Sequence, residues 1–327
     1  MNEFKSPILL LKKSLFEIAQ VMIRYYFKTV RDEEFQLIPQ VREGCWIHIE
    51  EASSEDLALL AQILGLEQAD LQDCLDKFEV PRVERIQNTV LIFTRHPSEY
   101  ETGLYTSTLT IILAPHYIVT VAPHQCHLVQ TFLQQKSKLS TLQKSKLLIS
   151  LLLKITQDFT AHIRRVRNNV LRQEKEMISV ESEDITALTT NEEVLNQYQS
   201  TLIPLRNVLE AITSGRYTNL YEKDQDLLED LLNNVKQSED ICGISLKSIR
   251  SLRDSYQIIF TNNLHKTIKL LTALTILFSI PTMVASLYGM NVTLPFASHP
   301  FAFFYLIGAT GFIIILAVLY FQRKRWL

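Results

Sequence analysis

Leu287-Tyr288-Gly289-Met290-Asn291-Val292 stands between two apolar runs near one end of a 327-residue chain. The run before it, 270–287, and the run after it, 300–321, contain no charged residue. A bilayer core of about 30 Å takes about 20 such residues as a helix. The first run only just meets that length and the second meets it comfortably. Two spans joined by a short turn make a hairpin with Tyr288–Asn291 at its tip. Lys266 and Lys269 precede the first span, and Arg323, Lys324 and Arg325 follow the second, in the basic tail 322–327. The loop 288–299 carries no charge apart from His299 when protonated. The positive-inside rule then predicts a multi-pass membrane protein with both termini cytoplasmic and the loop outside; the membrane expected for it is the cell (plasma) membrane. Tyr320 and Trp326 suit the aromatic belt at the inner surface.

The two spans differ in kind. The second is rich in Phe, Ile and Leu, as a lipid-facing helix is. The first carries Thr272, Thr275, Ser279, Thr282 and Ser286 at alternating steps of three and four, which places the hydroxyls on one stripe. Each hydroxyl taken alone reads as packing, because Ser and Thr in membrane helices bond back to their own carbonyls. A stripe confined to one of two spans reads instead as a wetted surface, with Thr275, Ser279, Thr282 and Ser286 lining a pore. Pro281 removes one backbone donor within it. A two-span hairpin cannot enclose water alone, so a pore requires several copies. Ile268 and Leu271 lie at the cytoplasmic end of the same face. Rings of such residues gate by dewetting, and ordinary packing is their competing reading.

Upstream, the pattern Leu228, Val235, Cys242, Ile249, Tyr256 keeps a heptad period, with Leu231, Leu252 and Ile259 as companions. It predicts one helix from about 223 to 287, a stalk (217–269) that runs on into the first span (270–287). The stalk packs on copies of itself or on the helical hairpin expected over 141–216. That hairpin comprises Lys144–Ile178, a polar break at 179–184, and Asn191–Ile212, with Pro204 as a possible kink and Ser214-Gly215 as the stop. Residues 22–140 read as a compact α/β domain. Its strands are expected at 22–30, 45–49, 83–86, 89–95, 105–113 and 117–121, with hairpin turns at Gln87-Asn88 and Ala114-Pro115-His116. A helix capped by Ser53 or Ser54 and stopped by Gly65 follows the second strand. A short helix bearing Leu71, Cys74, Leu75 and Phe78 comes next, and a third runs from about Cys126 to Lys136. Met22 is a second candidate start, which would make residues 1–21 a dispensable extension.

Composition narrows the function. A formal net charge of −2 argues against a nucleic-acid partner. The 4 cysteines are scattered without a C-x-x-C pair, which indicates reduced thiols rather than a disulfide framework or zinc module. No phosphate-binding glycine loop, H-E-x-x-H or G-x-S-x-G occurs, so no enzyme and no organic cofactor is expected. His124-x-Cys126-His127 lacks a fourth ligand and reads as structural.

Pro281-Thr-Met-Val-Ala-Ser-Leu-Tyr288-Gly-Met-Asn291, a short loop, one further span and the ending Tyr320-Phe-Gln-Arg-Lys-Arg-Trp-Leu327 resemble the CorA-type divalent-cation channels. The resemblance is specific over about 265–327 and diffuse over the rest. It implies an α+β cytoplasmic domain with a long helical hairpin and stalk helix, followed by a two-helix transmembrane hairpin, assembled as a homopentameric funnel in the lipid bilayer. It implies Mg²⁺ as cargo, with Co²⁺ or Ni²⁺ in some members, and Gly289-Met290-Asn291 as the outer filter. The chemistry agrees: Mg²⁺ dehydrates reluctantly, and Asn291 amide oxygens with Gly289 carbonyls can accept hydrogen bonds from its water shell. Gly289 is expected to permit a turn that a Cβ would obstruct. Tyr288 and Met290 support the loop, since a thioether is too soft for Mg²⁺.

The loop Val292-Thr-Leu-Pro-Phe-Ala-Ser-His299 lacks the acidic residue that many family members carry there. That leaves Zn²⁺ or Co²⁺ transport as the alternative cargo, with His299 as a conceivable soft-metal contact. The family's regulatory Mg²⁺ is held by stalk and cytoplasmic carboxylates. Asp226 and Asp230, within the cluster Asp224, Asp226, Glu229, Asp230, are the candidates, with Glu239-Asp240 second. A solvated helix N-terminus favoured by the macrodipole accounts for the same residues. A membrane-tethered scaffold or sensor is the non-transporting alternative, and it leaves the hydroxyl stripe and the filter residues without a role.

Overall fold

The computed structural model describes residues 23–98, 105–136, 138–176, 181–217, 222–292 and 299–326. The expectations for residues 1–21, Met22, the loop residues 293–298 and part of the 179–184 break therefore lie outside the described residues. The chain forms two compact units, one within 1–176 and 188–250, the other within 177–187 and 251–327.

The first unit is built on a 7-stranded sheet ordered β2-β1-β3-β7-β6-β5-β4. Its strands are β1 Ile23–Phe27, β2 Gln36–Ile38, β3 Trp46–Glu50, β4 Arg82–Ile86, β5 Thr89–Pro97, β6 Thr106–Leu113 and β7 Ile118–Ala122. All neighbours are antiparallel except β3 and β7. Gln87, at φ 53°, turns β4 into β5, and Ala114 N–H donates to Tyr117 O (3.0 Å) where β6 returns as β7. β2 was not anticipated, because three residues without clear alternation carry little signal.

One sheet face carries Ile47, Ile49, Leu91, Phe93, Ile112, Val119 and Val121. It packs under α1 (Ser54–Leu64) through Leu57, Leu60 and Ala61. Ser53 caps α1 reciprocally with Asp56, and Gly65 ends it at φ 70°. The next segment is a 3₁₀ helix, Gln68–Leu75, that buries Leu71 and Cys74. Phe78 falls outside it and is exposed, a correction to the expected apolar face.

The opposite face is covered by α2 (His127–Gln134) and α3 (Lys144–Glu176). Glu50 accepts from the Cys126 backbone N–H (2.7 Å), which satisfies a donor at the start of α2. α4 (Ser182–Thr213) begins inside the expected polar break, because Asp184 accepts from Glu181 N–H (2.9 Å) and caps the turn. Pro204 lies inside α4 without ending it.

α5 runs from Glu222 to Tyr288 as one helix. Its heptad residues Leu228, Leu231, Val235, Cys242 and Ile249 are buried. Within the first unit the partner of this seam is the helical hairpin. Cys242 Sγ donates to Leu195 O (3.3 Å), Ser238 and Thr160 share a 2.6 Å hydrogen bond, and Arg206 pairs with Glu239 (3.1 Å). In the second unit Tyr256 is still buried, but Ile259 is 43% exposed, so the seam ends between them. The second unit also holds α6 (Ala302–Arg323).

Two buried histidines make this fold acid-sensitive. Burial pushes His48 down to about 4; its Nδ1 bonds Thr120 Oγ1 (2.8 Å). Burial likewise lowers His96 to about 4. Its Nδ1–H donates to Pro97 O (2.9 Å), leaving Nε2 to accept from the Cys126 thiol (3.4 Å). In an unfolded chain each imidazole takes its proton near 6.5. Between about 6.5 and 4 the unfolded state therefore binds more protons, and stability falls as pH falls. The thermal midpoint of the detergent-solubilised protein should drop between pH 7 and pH 5. The loss approaches about 1.4 kcal/mol per pH unit for each histidine, and His96→Leu should flatten the profile.

Candidate functional site

The hydroxyl stripe sits on the apolar part of α5. Thr275, Ser279, Thr282 and Ser286, with Phe278 and Met283, line a shallow groove of about 650 Å³. Thr275 Oγ1 donates to Leu271 O (2.9 Å), Ser279 Oγ to Thr275 O (2.8 Å) and Thr282 Oγ1 to Phe278 O (2.9 Å). Each of these three hydroxyls has thus spent its proton on its own helix and keeps acceptor lone pairs. Packing and wetting do not exclude each other here. A hydroxyl that donates inward presents an oxygen outward, which is the polarity a hydrated cation seeks from a wall. Pro281 offers no N–H to the Leu277 carbonyl in the same stretch.

At the tip, Gly289 N–H donates to Ala285 O (2.9 Å) and Met290 N–H to Leu287 O (3.4 Å). Gly289 does not adopt a left-handed conformation; among the described residues the glycines that do are Gly44, Gly65 and Gly215. The expected reason for glycine therefore changes. A Cβ at 289 would stand 3.3 Å from Ala285 O, closer than an ordinary contact. Asn291 is exposed, as is Met290. Tyr288 lines an apolar cavity of about 590 Å³ with Val284, His299, Tyr305 and Ile313. His299 is occupied structurally: its Nδ1 accepts from Phe301 N–H (3.3 Å), and its carbonyl accepts from Ala302 N–H (3.0 Å) at the start of α6.

Ile268 and Leu271 are exposed, at 58% and 65%. Asp226 and Asp230 lie one turn apart on an exposed face of α5, while Asp224 is buried with Oδ1 unbonded. Among the described residues no group of three His, Cys, Asp or Glu side chains is placed to hold a metal ion. Cys126 begins α2 and bonds His96, which agrees with a structural reading of His124-x-Cys126-His127. Burial raises the Cys126 thiol to about 12.

One arrangement was missed in the sequence. Arg325, at φ 57°, follows the last turn of α6. Trp326 N–H donates to Phe321 O (2.9 Å), and Arg325 N–H to Gln322 O (3.0 Å). Trp326 stacks on the buried Phe321 at 5.6 Å and 20°. These are the bonds and apolar contact of a Schellman cap, with arginine where glycine is usual. A Phe-x₄-Trp spacing at a helix end was the available signal.

The described residues thus combine an α/β unit and its packed helices with two helices long and apolar enough to cross a bilayer, as in a membrane protein. A family model described as CorA-like Mg²⁺ transporter protein matches residues 42–324, and the chain belongs to that family. It is similar to the cobalt/magnesium transport protein CorA of Methanocaldococcus jannaschii, with 24% identity over 90% of this chain and 93% of that protein. The protein of the same description from Thermotoga maritima shares 22% identity over 92% of this chain and 88% of its own length. Among solved structures, the complete CorA magnesium transporter of M. jannaschii superposes with a TM-score of 0.75 at 21% identity. It covers 94% of this chain and 99% of that one. The fold is therefore that of full-length CorA, soluble part and apolar helices together.

Proposed function

We propose that the chain is a divalent-cation channel whose main cargo is Mg²⁺. The observation that carries the reading is the acceptor-lined stripe of α5 ending at Gly289–Asn291. In the proposal, copies of the chain surround an axis as a homopentamer in the plasma membrane. Both termini are cytoplasmic and the 288–299 loop is outside. The apolar stretch of α5 lines the pore through Thr275, Ser279, Thr282 and Ser286. Gly289 carbonyls and Asn291 amide oxygens accept hydrogen bonds from the ion's water shell, and neutral oxygens release it again. Tyr288 and Met290 support that ring. Ile268 and Leu271 close the inner end by dewetting. Cytoplasmic Mg²⁺ held through Asp226 and Asp230 favours the shut state.

Support comes from family membership and from the cargo named for the relatives, cobalt and magnesium. Co²⁺ stays a second cargo on that ground. Zn²⁺ is kept open by the absence of a carboxylate between Val292 and His299.

Uptake into liposomes, in competition among Mg²⁺, Co²⁺, Ni²⁺ and Zn²⁺, tests the assignment. Mg²⁺ should compete best, and Asn291→Ala should cut uptake roughly tenfold or more, since loss of even one hydrogen bond at a rate-limiting filter is worth about that factor. Full uptake by that variant excludes the filter. The carboxylate pair has its own test: Asp226→Asn/Asp230→Asn should need several-fold more internal Mg²⁺ for inhibition, and an unchanged dependence rejects their role.

A further inference from the structure

The last acidic side chain of the sequence is Asp254; no aspartate or glutamate occurs from Ser255 to Leu327. The same stretch holds Lys266, Lys269, Arg323, Lys324 and Arg325. All of these side chains are exposed, and none forms an ion pair or hydrogen bond among the described residues. Glu181, Glu183 and Asp184 belong to the same compact unit, yet none pairs with them. Some cations of the first unit do find carboxylates: Arg82 meets Asp73, Glu79 and Glu84, and Arg250 meets Glu192.

Position makes the imbalance consequential. From Lys269 to Tyr288, and from Ala302 to Arg323, each helix advances about 30 Å at about 1.5 Å per residue. Two equal traverses joined at one tip return the basic ends to the same bilayer face. Arg323–Arg325 are not a trailing tail there. The Schellman cap fixes their backbone, and the Trp326 ring stacked on Phe321 anchors the turn beside the apolar part of α6. Repetition of the chain around an axis would add like charges at that level, and among the described residues no carboxylate of this unit pairs with them.

We infer that the exposed cations Lys266, Lys269, Arg323, Lys324 and Arg325, held at one bilayer face by the Phe321–Trp326 cap, form a docking surface for anionic phospholipid headgroups. The inference rests on the membrane hairpin in the proposed function, but not on the filter or on conduction. The chemistry is phosphate recognition by guanidinium and ammonium groups, and the nearest phosphates are those of the leaflet. Trp326 is a positioning residue: it places the arginines without touching phosphate.

Lipid retention on the detergent-solubilised full chain tests this by native mass spectrometry, with phosphatidylglycerol and phosphatidylcholine of matched acyl chains as probes. Phosphatidylglycerol should be retained roughly tenfold or more over phosphatidylcholine. Replacing all of these cations by Gln should abolish the preference. Trp326→Ala should weaken it several-fold with every charge in place, and Trp326→Phe should restore it. Asn291→Ala should keep it in full, so failure of the filter and failure of this surface are told apart. Equal retention of both lipids by the native chain overturns the inference, as does a preference that survives the Gln variant. Displacement of phosphatidylglycerol by equimolar inorganic phosphate overturns the lipid assignment. An unchanged preference in Trp326→Ala overturns the role of the cap.

Discussion

Backbone N–H and C=O groups have no water to bond in hydrocarbon, and this constraint shapes the whole chain. It forces the spans to be helices, and α5 extends that solution back into the first unit without a break. One helix thus carries two surfaces for two environments. Up to Ile249 its heptad seam is buried against α3 and α4, where the hydrophobic effect supplies the packing energy. From Ile259 onward most of its large apolar residues are exposed, as suits a helix meeting lipid or other copies. Within the first unit, the sheet and its covering helices give the α3–α4 hairpin a fixed base against which the seam can pack.

Legibility followed the strength of local patterning. The heptad positions of α5 were plain because a seven-residue apolar repeat sustained over many turns seldom arises outside a packed helix. Ser53 and Gly65 marked α1 because each supplies a backbone partner or conformation that few residues offer. Phe78 misled because an apolar residue near a short helix resembles a core residue. The 3₁₀ geometry of Gln68–Leu75 ends before it. The start of α4 was placed late because Ser182-Glu183-Asp184 reads as a polar linker by composition, although the same residues make a capped first turn. The Trp326 cap was hidden for a related reason: it needs a left-handed arginine, which propensity alone argues against.

The candidate site was legible as a pattern and not as chemistry. Steps of three and four showed that Thr275, Ser279, Thr282 and Ser286 share a stripe, but they left packing and wetting as rivals. The hydrogen bonds to Leu271, Thr275 and Phe278 carbonyls are the ones the packing reading expects, and they leave acceptor lone pairs on the three residues that make them for the proposed wetted surface. A proton committed to the helix costs the wall nothing as an acceptor surface. The same bonds keep the hydroxyls from acting as donors, a bias that suits the protons of a cation's water shell and disfavours anions.

Charge distribution adds the last step. A channel for divalent cations usually profits from negative charge at its mouth, yet this chain carries no aspartate or glutamate after Asp254. Attraction to the proposed filter must therefore come from oriented neutral oxygens, whose pull is shorter in range than that of a carboxylate. Such a mouth concentrates ions weakly and releases them readily. In the proposed topology the lysines and arginines stand at the other bilayer face, where they would repel divalent cations unless phosphate headgroups neutralised them. If both proposals hold, the lipid bound at the basic face belongs to the conduction path's electrostatics, and ion throughput depends on leaflet composition through the same residues that orient the protein.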